Sequence, residues 1–336
     1  MPRSPLEQLT RRVTRHFKAH AARYGLNPRT VSARYLLNWG GFVNASFHIS
    51  DGQTALHLKL SDYEDSLACL EQWLDLREPL AARYHAPRVL AWVELDGGED
   101  YAGLLFEHLP GRTASFRDEP ALHAQVLALA GQLHADHALA AQLAQVHDVA
   151  SCADSLISTY IDRFDEDLMT IIAELPPFVP LATFDWMMSE TRHLEALARE
   201  LPAFQPPAGA PIHGDLWEHN VLVGDDGQWR VIDWDDLSLG DPALEFGILL
   251  GPLLAHLPPA QRQPLPALAE AALPPDPALR ERFELYLRAY LLDEVIDSLA
   301  DYVESAFAPE HQAEVQAEKQ RVHEQALALY QQFYPL

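Results

Sequence analysis

Positive charge is scarce in this chain, and lysine nearly absent: Lys18, Lys59 and Lys319 stand far apart, and 24 Lys plus Arg face 49 Asp plus Glu, a formal charge of −25. That deficit argues against nucleic acid or an anionic membrane as the main partner, since both would repel the surface; either a cationic small molecule is drawn in or the acidity serves only solubility. Cysteine is scarce too. Cys69 and Cys152 are far apart and neither has another cysteine or a His pair at metal spacing, so the cysteines give no disulfide framework and no zinc site. A reducing cytoplasm fits them. Long apolar runs are missing: the stretch from Phe246 to Leu257 is broken by Gly251 and Pro252 and is too short to span a bilayer. At the start of the chain, Arg3, Arg11, Arg12, Arg15 and Lys18 surround Leu6, Leu9, Val13 and Phe17. This is an amphipathic helix without the apolar core of a secretory signal, better read as a docking helix of the mature protein than as an organelle transit peptide.

What remains is ordinary globular material. The chain has 336 residues, 48% hydrophobic and 22% charged, enough for roughly two domains with a sizeable core. Short strands are expected at Tyr35–Leu37, Phe42–Ile49 and Ala55–Leu60, with Asp51-Gly52 as a hairpin turn between the last two. A helix follows over Ser66–Tyr84, with Leu67, Leu70, Leu74 and Leu76 mostly on one side and Pro87 preventing its continuation. Two more strands, Arg88–Glu94 and Ala102–Glu107, flank the turn at Asp96-Gly97-Gly98. Leu109-Pro110-Gly111 then breaks the chain, and the rest is largely helical apart from a hairpin, Val221–Val223 and Trp229–Ile232. The prolines between Pro258 and Pro277 read as an irregular surface excursion. Helical periodicity resumes at Phe283, Tyr286, Leu287, Tyr290 and Leu291.

The chemistry is concentrated in His213-Gly214-Asp215-Leu216-Trp217-Glu218-His219-Asn220, the hairpin, and Ile232-Asp233-Trp234-Asp235-Asp236. Phosphoryl transfer from ATP needs a carboxylate beside the incoming hydroxyl and oxygen ligands that hold magnesium against the β- and γ-phosphates. Asp215, Asn220 and Asp233 suit those tasks, because Asp and Asn five residues apart share one loop and a hairpin can return Asp233 to it. A single Asp here would be an ordinary turn or N-cap carboxylate; the string as a whole carries the inference. Gly40-Gly41, with Asn44 and Ser46, can bring backbone and side-chain donors to phosphate oxygens. Lys59, at the end of an apolar strand and the sole lysine between Lys18 and Lys319, is the candidate cation for the α- and β-phosphates.

This arrangement, H-G-D-L-x-x-x-N followed by I-D-W, resembles the aminoglycoside phosphotransferase and choline kinase family over approximately Leu36 to Glu245. The resemblance implies an α+β, two-lobed protein-kinase-like fold, with a small antiparallel sheet lobe over 1–107, a hinge at 108–111 and a larger, mostly helical lobe over 112–336. It implies Asp215 as catalytic base, Asn220 and Asp233 as magnesium ligands, and ATP and Mg2+ as cofactors. Lys59 would pair with a Glu on the following helix, Glu71 or failing that Glu64, and Gly41, Asn44 and Ser46 would cover phosphates. Backbone groups after the strand ending at Glu107 would meet adenine. Asp241, in Gly240-Asp241-Pro242, would steady the catalytic loop or cap a helix, and His213 would hold the loop without proton chemistry.

The acceptor is expected to be a hydroxyl of a small molecule, including an amine-bearing one. Asp293, Asp297 and Asp301 fall at i, i+4 and i+8 on one helix face, a seat for an amine or simply a solvated face. Trp217 and Trp234 could stack on a sugar, cover a quaternary ammonium, or belong to the core. A protein Ser/Thr kinase of the same fold and a non-catalytic nucleotide-binding regulatory module are the alternatives.

Overall fold

Leu9, Val13 and Phe17 recur every fourth residue, so a helix lines them up on one stripe. In the computed structural model this is α1 (Pro5–Ala19), whose Val13 and Phe17 are fully buried. The structure describes residues 5–36, 44–96, 101–256, 272–305 and 312–334. The expected Gly40-Gly41 turn and most of the proline-rich excursion lie outside them. α1 packs on one face of an antiparallel sheet with strand order β1-β2-β3-β5-β4: β1 (Ser32–Leu36), β2 (Ala45–Ser50), β3 (Ala55–Ser61), β4 (Val89–Glu94) and β5 (Ala102–Glu107). The β2–β3 turn forms where expected, with Asp51 Oδ1 accepting from the N–H groups of Gln53 and Thr54 at 2.9 and 2.8 Å.

Strand alternation then decides what faces where. Leu56, Leu58 and Leu60 enter the core shared with α1, which turns His57 and Lys59 to the opposite face. On that face His57 meets Phe106, and Phe106 meets Trp73 of α2 (Glu64–Arg83) at a ring separation of 4.7 Å. The buried stripe of α2 is Leu70, Trp73, Leu76 and Leu80, so Leu67 and Leu74 are only half-buried. Gly103 lets β5 lie against β3: a Cβ there would come within 2.0 Å of the Lys59 carbonyl oxygen.

The chain divides into two compact units, one formed by Met1–Ser115 with Glu218–Leu237, the other by Phe116–Trp217 with Ser238–Leu336. The expected lobes ran 1–107 and 112–336. The hairpin of β8 (Val221–Gly224) and β9 (Trp229–Val231) goes instead with the first unit. The reason is strand pairing: β6 (Gly111–Thr113), beginning at the last residue of the expected hinge, pairs with β8 through Gly111↔Gly224 and Thr113↔Leu222.

The second unit is mostly helical: α3 (Pro120–His134), α4 (His137–Leu143), α5 (Cys152–Leu156), α6 (Asp162–Ala173), α7 (Leu181–Glu200), α8 (Pro242–His256), α9 (Pro277–Glu304) and α10 (Gln312–Phe333). A short antiparallel pair, β7 (Ala210–Ile212) with β10 (Ser238–Gly240), is set among them. α9 is apolar on nearly every side, with Phe283, Tyr286, Leu287, Leu291, Leu292, Val295, Ile296 and Leu299 buried, which makes it the central helix of this unit. Asp276 caps it through the Ala278 N–H, with Pro277 in the first turn. The architecture is therefore α+β, a small antiparallel sheet unit and a helical one. No described helix is long and apolar enough to cross a membrane.

Candidate active site

Lys59 is 8% exposed on the face of β3 opposite the α1 core. Its ammonium donates to Asp233, 174 residues away, and to both carboxylate oxygens of Asp235 at 2.7 Å. Asn44 Nδ2 donates to Asp235 Oδ2 at 2.9 Å, and Ser46 stands directly across from Lys59 in the β2–β3 register. Burial pulls the lysine pKa down, but the two carboxylates outweigh it and the net shift is upward, so the amine stays charged. Asp235 is pushed up by burial and by Asp233, against the opposing pull of Lys59. Two carboxylates share one cation.

The backbone explains how Asp235 gets there. Asp233 adopts a left-handed conformation with φ of 68°, tolerable for Asp, and opens the turn Trp234–Asp236 that carries Asp235 back to the lysine. Trp234 anchors this turn. It is fully buried, its Nε1 donates to the Val231 carbonyl at 2.8 Å, and its ring lies 6.1 Å from that of Tyr84, so it belongs to the core. Asn220 is buried, and its carbonyl accepts from the Ile232 N–H at 2.9 Å, tying the start of the hairpin to the residue before Asp233.

Other expected residues are placed differently. Glu71 is exposed, one helical step of ~100° from Leu70 and therefore off the stripe that faces the sheet. Glu64, at the start of α2, is exposed as well. The structure thus brings Asp233 and Asp235 to Lys59, and neither helix glutamate. Glu107 ends β5, its N–H donating to the Arg88 carbonyl at 3.2 Å and its carboxylate accepting from the Arg88 N–H at 3.0 Å. Gly41 lies outside the described residues.

In the second unit, β7 runs into His213-Gly214-Asp215, with Gly214 at a φ of 89°. This loop is fastened by Glu245, 0% exposed in the first turn of α8, which accepts from the His213 N–H, from the Gly214 N–H at 3.0 Å and from His134 Nε2 at 2.6 Å. His213 is itself buried. Its Nδ1 accepts from the Asp215 N–H at 3.3 Å. Asp215 is half-buried, five residues before Asn220 along the chain. Asp241 caps α8 by accepting from the Ala243 N–H at 3.1 Å and pairs with Arg282 of α9 at 2.8 Å, while Arg282 also donates to the Ala203 carbonyl. The His213 and Gly214 N–H groups of the loop are held by Glu245.

Asp235 and Glu245 are the two residues that sequence reasoning passed over, although Asp235 stood in a string it quoted. Their signals are an acid two residues beyond Asp233 across a core Trp, and an acid inserted between Leu244 and Phe246 where apolar neighbours forecast burial. Along α9, Asp293 pairs with Arg163 and Asp301 with Lys319, whereas Asp297 is exposed. Burial pushes the Asp293 carboxyl up to about 7 and that of nearby Asp167 up to about 6.

The sequence profile of the APH phosphotransferase enzyme family matches residues 35–286, three quarters of the chain. The chain belongs to this family. Among solved structures, the aminoglycoside phosphotransferase APH(4)-Ia in ternary complex with AMP-PNP and hygromycin B aligns over 91% of this chain and 96% of its own, at 16% identity and a TM-score of 0.56. The choline kinase from Cryptosporidium parvum aligns over 96% and 97% at 15% identity and 0.55. A GDP complex of aminoglycoside 2'-phosphotransferase-IIIa aligns over 95% and 97% at 13% identity and 0.58. At such identities the likeness shows the fold, and that fold is kinase-like. No curated protein sequence matches the chain. Membership in a phosphotransferase family of this fold makes the protein a kinase-type enzyme, and it gives the Lys59 cluster and the Asp215 loop their context.

Proposed function

We propose that this protein is an ATP- and magnesium-dependent phosphotransferase that moves the γ-phosphoryl group to a hydroxyl of a small molecule. The observation that carries the reading is the buried Lys59 ammonium shared by Asp233 and Asp235. The cluster holds one negative charge more than it neutralises, and its donors are hard carboxylate and amide oxygens, the set that suits magnesium. Asp233 and Asn220 would hold the ion, with Asp235 beside them. Magnesium, when bound, supplies positive charge against the β- and γ-phosphate oxygens.

The chain's own residues do the rest. Lys59 exchanges a carboxylate partner for phosphate oxygens and steadies the triphosphate. Asp215 orients the acceptor hydroxyl and takes its proton as the oxygen forms its bond to the γ-phosphorus and the bond to the β-phosphate oxygen breaks. Glu245 and His213 hold the loop that presents Asp215, so that positioning is already established before substrate arrives.

The test is ATP consumption over a panel of amino alcohols, sugars and aminoglycosides, with GTP as a parallel donor. Asp215→Asn and Asp233→Asn should abolish turnover while leaving the thermal transition in place; unchanged turnover refutes the assignment. A magnesium-dependent thermal shift with ATP but no transfer to any acceptor would identify a binding module instead. Label transferred from ATP to protein in a lysate would identify a protein kinase.

A further inference from the structure

His16 and His20 stand four residues apart at the end of α1, so the helix places both imidazoles on one side, with ring centroids 4.6 Å apart. The chain returns to them just after β4. Asp96 Oδ2 lies 3.3 Å from His16 Nδ1 and 3.1 Å from His20 Nε2. All three atoms fall within 4.8 Å of one another. Metal–ligand bonds of ~2.0–2.1 Å in tetrahedral geometry separate neighbouring ligand atoms by ~3.3 Å, close to the two edges that Asp96 makes with the histidines.

A second observation points the same way. His16 is 7% exposed, yet neither of its ring nitrogens makes a hydrogen bond. A buried imidazole whose nitrogens make no hydrogen bond is costly, and its Nδ1, 3.3 Å from Asp96 Oδ2, is aimed at that carboxylate.

We propose that His16 Nδ1, His20 Nε2 and Asp96 Oδ2 form a binding site for a borderline divalent transition metal, zinc by ligand preference, with a fourth position open to water. Two imidazoles and one carboxylate favour zinc over the hard cations that carboxylate and amide clusters prefer. The metal would tie α1 to the end of β4, fixing the helix that covers the sheet on which Lys59 stands. It takes no part in phosphoryl transfer, and its presence or absence is independent of the proposed activity.

His20 and Asp96 are 43% and 68% exposed, so His20→Gln and Asp96→Asn can be made with little risk to the fold. The experiment uses the full chain freed of any affinity tag, with zinc titrated against a chelating dye in excess magnesium. One zinc per chain is expected, with the affinity falling at least about tenfold in either variant and unchanged in Asp233→Asn. Cobalt gives a second readout: the intense visible absorption of tetrahedral Co2+ should appear in the wild type and vanish in Asp96→Asn. Absence of stoichiometric binding, or binding in both variants equal to that of the wild type, overturns the proposal and leaves a His–Asp ion pair.

Discussion

Replacing Glu245 by alanine would remove the acceptor of three donors at once: the His213 and Gly214 N–H groups and the His134 ring. Each hydrogen bond to an ionised acceptor contributes about 1.5–3 kcal/mol, so the three together bound the loss at about 4.5–9 kcal/mol. Removing the carboxylate also relieves the cost of burying it, several kcal/mol, which brings the net loss to about 3–5 kcal/mol. At about 2–4 °C per kcal/mol for a domain of this size, the thermal transition should fall by roughly 6–20 °C. Glu245→Gln keeps an oxygen for the two N–H groups and loses the charge, about 1 kcal/mol per bond, so its transition should fall by roughly 4–8 °C. Differential scanning calorimetry gives both numbers. Hydrogen exchange at Gly214 gives a local measure, since its protection depends on this carboxylate. A Glu245→Ala transition within 2 °C of wild type, or one falling less than that of Glu245→Gln, would refute the reasoning that this side chain fastens the loop.

Gly103→Ala tests the sheet: the added Cβ meets the Lys59 carbonyl oxygen at 2.0 Å, so β3 and β5 must part, at about 1–3 kcal/mol in urea unfolding, with nucleotide affinity lost alongside. Asp293 tests the helical unit's pH dependence. Its folded pKa of about 7 lies above its unfolded value, so the folded state holds the proton more tightly and stability falls as pH rises from about 4 to about 7, then levels off. Asp293→Asn should flatten that slope when the urea midpoint is followed across the range; an unchanged slope places its origin elsewhere.

The parts of this fold legible in the sequence are those that local pattern determines. The β2–β3 hairpin is written in Asp51-Gly52 and in the alternation of Leu56, Leu58 and Leu60 around His57 and Lys59. Lys59 is identifiable because lysine is so rare here, and α9 because Phe283, Tyr286, Leu287 and Leu291 keep helical phase. What local pattern does not determine is pairing between distant segments. β6, β7 and β10 have three residues each, too few for a period, and exist because their partners lie elsewhere in the chain. The choice of Glu71 failed on helix phase. Counting only leucines puts the stripe of α2 at Leu67, Leu70, Leu74 and Leu76, whereas Trp73 and Leu80 rotate it and leave Glu71 in solvent. Glu245 and Asp235 are visible as acids, but their burial is a property of the folded chain alone.

A chain with so many acids must deal with those it buries, and it mostly does so one partner at a time: Asp241 with Arg282, Glu190 with Arg288, Glu245 with His134. Among the described residues, two clusters break that pattern. At Lys59 the surplus carboxylate has no protein cation, which is the condition that invites a metal ion and a triphosphate. Around α9, Asp167 of α6 and Asp293, Asp297 and Asp301 of α9 share Arg163 and Lys319, and burial answers the surplus by pushing Asp293 up to about 7 and Asp167 up to about 6. The two responses separate classes of acceptor. An amine seated on this stripe brings positive charge, lowers those carboxyl pKa values and expels protons at neutral pH; a neutral sugar leaves them bound. Calorimetric titration of each acceptor in buffers of different ionisation enthalpy measures that release directly. Proton release on binding an amino alcohol, largely lost in Asp293→Asn, would assign the stripe to the acceptor, and binding without release would leave it a solvated helix face.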